Sequence, residues 1–110
     1  MHVYPRLIPV LLLEGERLVK TEKFAAPRYV GDPVNVISIF NDLEVDEIVL
    51  LDIGAAKSRS TAPLALLERL VSEAFIPLAY GGGVSTAEQA ERIINTGIEK
   101  VVVNTALIEN

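Results

Sequence analysis

The residues best suited to chemistry in this 110-residue chain stand at the ends of short apolar runs. Gly81-Gly82-Gly83 directly follows the run from Ile76 to Tyr80 and precedes a helix-start signal at Ser85. Glycines lack the Cβ that holds a backbone away from a ligand, and a helix N-terminus presents unpaired N–H groups with a partial positive charge. Together they suit an anion, phosphate first of all. Taken alone, the triplet fits a flexible turn between strand and helix equally well, and the G-x-G-x-x-G spacing of a dinucleotide site is absent. Asn104-Thr105 closes the next apolar run with an amide and a hydroxyl, either a contact to the same anion or a helix cap. Asp52 ends the run Leu50-Leu51-Asp52-Ile53 and offers a carboxylate for hydrogen bonding or for acid–base work. Arg6, Glu47 and Lys100 stand at the opposite ends of their runs. They are solvated surface charges or, if they point inward, a salt-bridged ring. Lys20 and Arg28 fall in the interval from Glu14 to Gly31, which is long for a βα connection and reads as a lid or binding loop, with Lys20 suited to a phosphate contact.

Four apolar runs position these groups: Leu7 to Leu13, Glu47 to Ile53, Ile76 to Tyr80 and Lys100 to Val103. Each is nearly continuous in Val, Ile and Leu, the pattern of parallel strands covered on both faces. Helical stretches separate them. Asp32-Pro33 is an N-cap acid followed by proline at the first helical position, and Val36, Ile37, Phe40 and Leu43 share a face, which predicts a helix over Pro33 to Leu43. A second helix starts near Thr61-Ala62-Pro63, with Leu64, Leu67, Leu70, Val71 and Ala74 at helical spacing. The third opens on Ser85-Thr86-Ala87-Glu88, read as a capping box based on Ser85 and Glu88, and Gly97 supplies its left-handed stop. Thr105 to Ile108 begins a fourth. The order βαβαβαβ implies right-handed parallel crossovers, in either a doubly wound sheet or a closed eight-stranded barrel. Closed (β/α)8 barrels run to about 250 residues, so four strands amount to half of one. Periodicity does not separate the two; as a barrel the chain is α/β, the N-terminal half of a (β/α)8 barrel, with residues 1–110 forming a single partial domain of four βα units.

Composition narrows the function classes. Ten Lys and Arg against fifteen Asp and Glu give a net charge of -5 without a basic cluster, which argues against nucleic acid as partner. Apolar residues make up 50% of the chain, but no run approaches the roughly 18 residues of a membrane span. The start Met1-His2-Val3-Tyr4-Pro5-Arg6 lacks the pattern of a secretory signal, so a cytoplasmic location is expected. Cysteine is absent and the single histidine is His2, so neither a metal nor a cofactor is expected.

Taken in order, Arg6-Leu7-Ile8-Pro9, Arg17-Leu18-Val19-Lys20, Gly31-Asp32-Pro33, Asp46-Glu47, Leu51-Asp52-Ile53, Gly81-Gly82-Gly83-Val84 and Lys100-Val101-Val102-Val103-Asn104-Thr105-Ala106 resemble the cyclase subunit of imidazole glycerol phosphate synthase over essentially the whole chain. The resemblance implies a barrel that takes ammonia from a glutaminase partner docked at its floor. With that ammonia it converts a phosphorylated ribulosyl substrate into imidazole glycerol phosphate and an aminoimidazole carboxamide ribotide, in histidine biosynthesis. It assigns Gly83, with its neighbours Gly81 and Gly82, and Asn104 and Thr105 to a phosphate site, Lys20 to the loop over the active face, and Arg6, Glu47 and Lys100 to an ammonia gate. One position departs from the family. Leu12 stands where the family carries a catalytic aspartate, and leucine exchanges no proton. This leaves the chain without a catalytic residue of its own, with Asp52 as the supporting carboxylate. Lys20-Thr21-Glu22-Lys23-Phe24 and Arg28-Tyr29-Val30-Gly31-Asp32-Pro33, together with Leu12, also resemble a side branch in which a cyclase-like barrel delivers ammonia for amidino-sugar formation in surface-polysaccharide pathways. Two other readings are a non-catalytic half-barrel that self-associates through the open edges of its first and fourth strands, and an isomerase of the same superfamily.

Overall fold

The computed structural model describes residues 5–14, 16–20, 28–53, 62–84 and 86–103. Its centre is a parallel sheet of β1 (Val10–Glu14), β4 (Ile48–Asp52), β5 (Leu78–Gly81) and β6 (Lys100–Val102), extended by the antiparallel strands β2 (Arg17–Lys20) and β3 (Arg28–Gly31). The order across the sheet is β3-β2-β1-β4-β5-β6. Among the described residues, three helices lie between the parallel strands: α1 (Pro33–Asp42), α2 (Leu64–Glu73) and α3 (Ala87–Ile94). No helix among the described residues is long and apolar enough to cross a membrane.

The four parallel strands occupy the four apolar runs, with shifted ends. The first run enters its strand only at Val10, because Pro9 has no N–H to give a ladder and Leu7 is held from the side. There the Leu7 N–H donates to Asp46 Oδ2 at 2.6 Å and the Asp46 N–H donates to the Leu7 carbonyl at 2.9 Å. The interval read as a long loop holds the β2–β3 hairpin, which corrects that expectation. It also corrects the idea of β1 as an open edge, since β2 pairs with it through Leu12–Val19, Leu13–Leu18 and Glu14–Arg17.

Alternation along the strands separates two faces. Leu13, Ile48, Leu50, Leu78 and Tyr80 point to the helices and join Ile37, Leu67, Leu70 and Ile93 in one buried cluster. Burying each leucine of that set contributes about 1.5–3 kcal/mol relative to leaving it in water. On the other face Val10 and Val102 stay half exposed, at 54% and 47%. Helix α1 starts as read, with the Asp32 carboxylate accepting from the Val34 N–H at 2.9 Å and proline in the first turn. Helix α2 has Pro63 at its N-cap and no side-chain cap, so its packed stripe of Leu66, Leu67 and Leu70 carries it. Asn41 of α1 ties down the end of α2, donating from Nδ2 to the Glu73 carbonyl at 2.8 Å and accepting from the Phe75 N–H at 2.9 Å. The box that opens α3 is one residue later than read. Thr86 accepts from the Gln89 N–H at 3.1 Å, and the Gln89 side chain accepts from the Thr86 N–H at 3.3 Å. Ser85 and the helix expected at Thr105 to Ile108 lie outside the described residues.

Candidate functional site

The parallel strands deliver their C-terminal ends, Glu14, Asp52, Gly81 and Val102, to one edge of the sheet. The glycine turn stands at that edge. Gly81 closes β5 in register with Leu51 and Val102, and the chain then reverses through Gly82 and Gly83 at φ of +126° and +67°. Gly82 lies directly on the backbone of β4: a Cβ placed there would meet the Asp52 carbonyl oxygen at 2.3 Å. Any side chain at that position collides with the neighbouring strand, so the turn is packed down. Val84 is buried, and three residues past Gly83 the capped N-terminus of α3 begins. A cleft beside the turn is lined by Gly82, Gly83, Ala62, Leu64, Gln89 and Arg92. Arg92 reaches it from α3 while its guanidinium donates to Glu88 at 2.9 Å.

Asp52 takes a place that the sequence reading left open. It is in register with Leu13 and points into the helix-facing layer, where it is 2% exposed, rather than onto the open face. Tyr80, fully buried, is one partner, its hydroxyl donating to Asp52 Oδ2 at 2.9 Å. Tyr80 pairs in register with Leu50, so it reaches Asp52 on the diagonal, a span that a long aromatic side chain covers. Burial first, and then the carboxylate beside it, push the Tyr80 phenol far above the usual tyrosine range. It therefore stays a proton donor to Asp52. In the sequence Tyr80 is simply the last residue of an apolar run. The available signal was a phenol immediately before the glycine triplet, in a strand otherwise free of hydrogen-bonding side chains.

At the opposite end of the sheet, Lys100 Nζ donates to Glu47 Oε1 at 2.8 Å, with the lysine side chain 62% exposed and that of the glutamate 16%. Two of the three expected floor charges thus meet, although they are 53 residues apart in sequence. Arg6 is exposed at the same end, next to the two hydrogen bonds between Leu7 and Asp46. Leu12 lies on the face away from the helices, half buried between Leu51 of β4 and Val19 of β2. The level at which a first-strand acid would work is an apolar row of three. Asn104, Thr105 and the side chain of Lys20 lie outside the described residues.

A parallel βα sheet with its helices on one face and a glycine turn at its C-terminal end has the architecture of part of a βα barrel. The sequence profile of the family described as histidine biosynthesis protein matches residues 6–110, and the chain belongs to that family, whose fold is the (β/α)8 barrel. Relatives provisionally named as imidazole glycerol phosphate synthase subunits match almost all of it. The subunit hisF3 of Vibrio vulnificus is 51% identical over 105 residues, covering 96% of this chain and 40% of the relative. The subunit hisF2 of Pseudomonas aeruginosa is 50% identical over 103 residues, covering 94% and 41%. A counterpart in Leptospira interrogans is 48% identical over 106 residues, covering 96% and 42%. The chain thus spans about two fifths of the length of these curated relatives.

Proposed function

We propose that the protein is a barrel subunit of the imidazole glycerol phosphate synthase type, which holds a phosphorylated small molecule at the Gly81–Gly83 turn and works with a glutaminase partner in histidine biosynthesis. The observation that carries this reading is the division of one sheet into two ends. An anion-suited glycine turn packs on Asp52 at the C-terminal end, and the Glu47–Lys100 ion pair stands at the floor. The names of the relatives support it. In this reading the glutaminase docks at the floor, ammonia passes the charged pair, and Asn104, Thr105 and Lys20 complete the grip on phosphate.

Leu12 favours a second reading. With Leu12, Leu51 and Val19 in a row, the first strand offers no proton donor at mid-face. Such a surface lets neutral ammonia pass and suits delivery to another acceptor, as in amidino-sugar formation. One experiment separates the two. The intact protein is incubated with its glutaminase, glutamine and the ribulosyl substrate. Imidazole product establishes the cyclase role, whereas glutamine turnover without imidazole product establishes ammonia delivery. No stimulation of glutamine turnover in either case refutes both.

A further inference from the structure

We infer that Tyr80 and Asp52 form a positioning strut for the glycine turn, and that the phenol of Tyr80 sets the geometry with which the turn's backbone N–H groups meet phosphate. The inference rests on the reading of Gly81–Gly83 as a phosphate site and adds two residues that touch no ligand. Three observations close a small ring. The Tyr80 hydroxyl holds Asp52 Oδ2 at 2.9 Å. Tyr80 is bonded to Gly81, which stays in register with Leu51, the residue before Asp52. Gly82 then rests on the Asp52 backbone, where its missing Cβ leaves contact with the carbonyl oxygen. The end of β4 and the start of the turn are thus joined twice, once through side chains and once through backbone.

Both side chains of the strut are buried, and the low local dielectric strengthens the hydrogen bond between them. A core position in a parallel strand needs neither a phenol nor a carboxylate for packing, since Leu50 and Leu78 fill the same layer. What the pair adds is a fixed distance between two strand ends. Anion binding by backbone N–H groups depends on such fixing, because donors oriented in advance need no reorganisation when the ligand arrives.

The test uses the intact protein and inorganic phosphate as the probe, with binding measured by calorimetry and folding by thermal unfolding. Tyr80→Phe keeps the ring and removes the hydroxyl, and is expected to weaken phosphate binding at least tenfold and to lower Tm. Tyr80→Phe combined with Asp52→Asn also replaces the buried carboxylate that has lost the Tyr80 hydroxyl. It is expected to regain Tm while binding phosphate as weakly as the single variant. Phosphate affinity within twofold of the parent in Tyr80→Phe, or affinity that recovers together with Tm in the double variant, overturns the strut. If the parent itself binds no phosphate, the reading of the turn as a phosphate site falls, and the strut's assigned role falls with it.

Discussion

Replacing Gly82 by alanine isolates the contact that packs the turn onto β4. Two penalties act at this position. The backbone sits at φ of +126°, where an L side chain is strained by about 1–3 kcal/mol. The new Cβ would also lie 2.3 Å from the Asp52 carbonyl oxygen, with the carbonyl carbon and the Asp52 nitrogen at 3.0 Å, and all of these are backbone atoms that cannot swing aside. Forced overpacking of this kind costs about 1–3 kcal/mol. Gly82→Ala is therefore expected to destabilise the intact protein by about 2–6 kcal/mol, a large share of a typical stability of about 5–15 kcal/mol. Gly31 supplies the control. Its φ is +146° but nothing lies within 4 Å of the position a Cβ would take, so Gly31→Ala carries only the backbone strain. Urea unfolding of both variants, with equal m-values, measures the difference directly. Gly82→Ala is expected to exceed Gly31→Ala by about 1–3 kcal/mol, the overpacking penalty alone. Equal losses in the two variants would refute the claim that the turn rests on Asp52.

Two further expectations rest on separate parts of the fold. Thr86→Ala removes the acceptor for the Gln89 N–H and half of the reciprocal box at α3, and should cost about 1 kcal/mol in the same urea assay, whereas Glu88→Ala leaves the box intact and should cost less. Alkaline pH should destabilise the protein through Tyr80. Its folded pKa is raised, so its contribution is fully present below the unfolded value of about 10 and is lost as pH rises beyond it. Stability measured from pH 8 to pH 11 should fall above about pH 10 with a slope approaching 1.4 kcal/mol per pH unit, and Tyr80→Phe should remove that component. A slope unchanged in the variant contradicts the assignment.

Much of the architecture was written locally. The strands were legible because Ile48 to Leu51 and Val101 to Val102 are apolar without interruption, the pattern of parallel strands, even though the face away from the helices stays partly exposed here. Helix α1 announced itself through Asp32-Pro33, and α2 through leucines at helical spacing, since caps and stripes act within one turn or one face. The glycine triplet marked the candidate site for the same reason: a backbone without Cβ is a property of the residues themselves. The α3 box was misplaced by one residue because Ser85 and Thr86 are both competent caps, with an acid and an amide three residues after them. Only the folded geometry selects Thr86 with Gln89.

The hairpin was not legible. Arg17 to Lys20 is four residues with charged ends, and its two apolar members bury on different faces, Leu18 against the helices and Val19 beside Leu12. Neither strand period nor composition sets it apart from a loop, and its stability comes from pairing with β1. The contacts that define the candidate site are of the same kind. Asp52 and Tyr80 are 28 residues apart, and Glu47 and Lys100 are 53 apart. The sequence by itself determined which residues are apolar, which turn lacks side chains and which charges stand at strand ends. Tertiary structure decided which face Asp52 joins and what it holds, because register between strands distant in the chain is set by packing of the whole sheet against its helices and not by any local pattern.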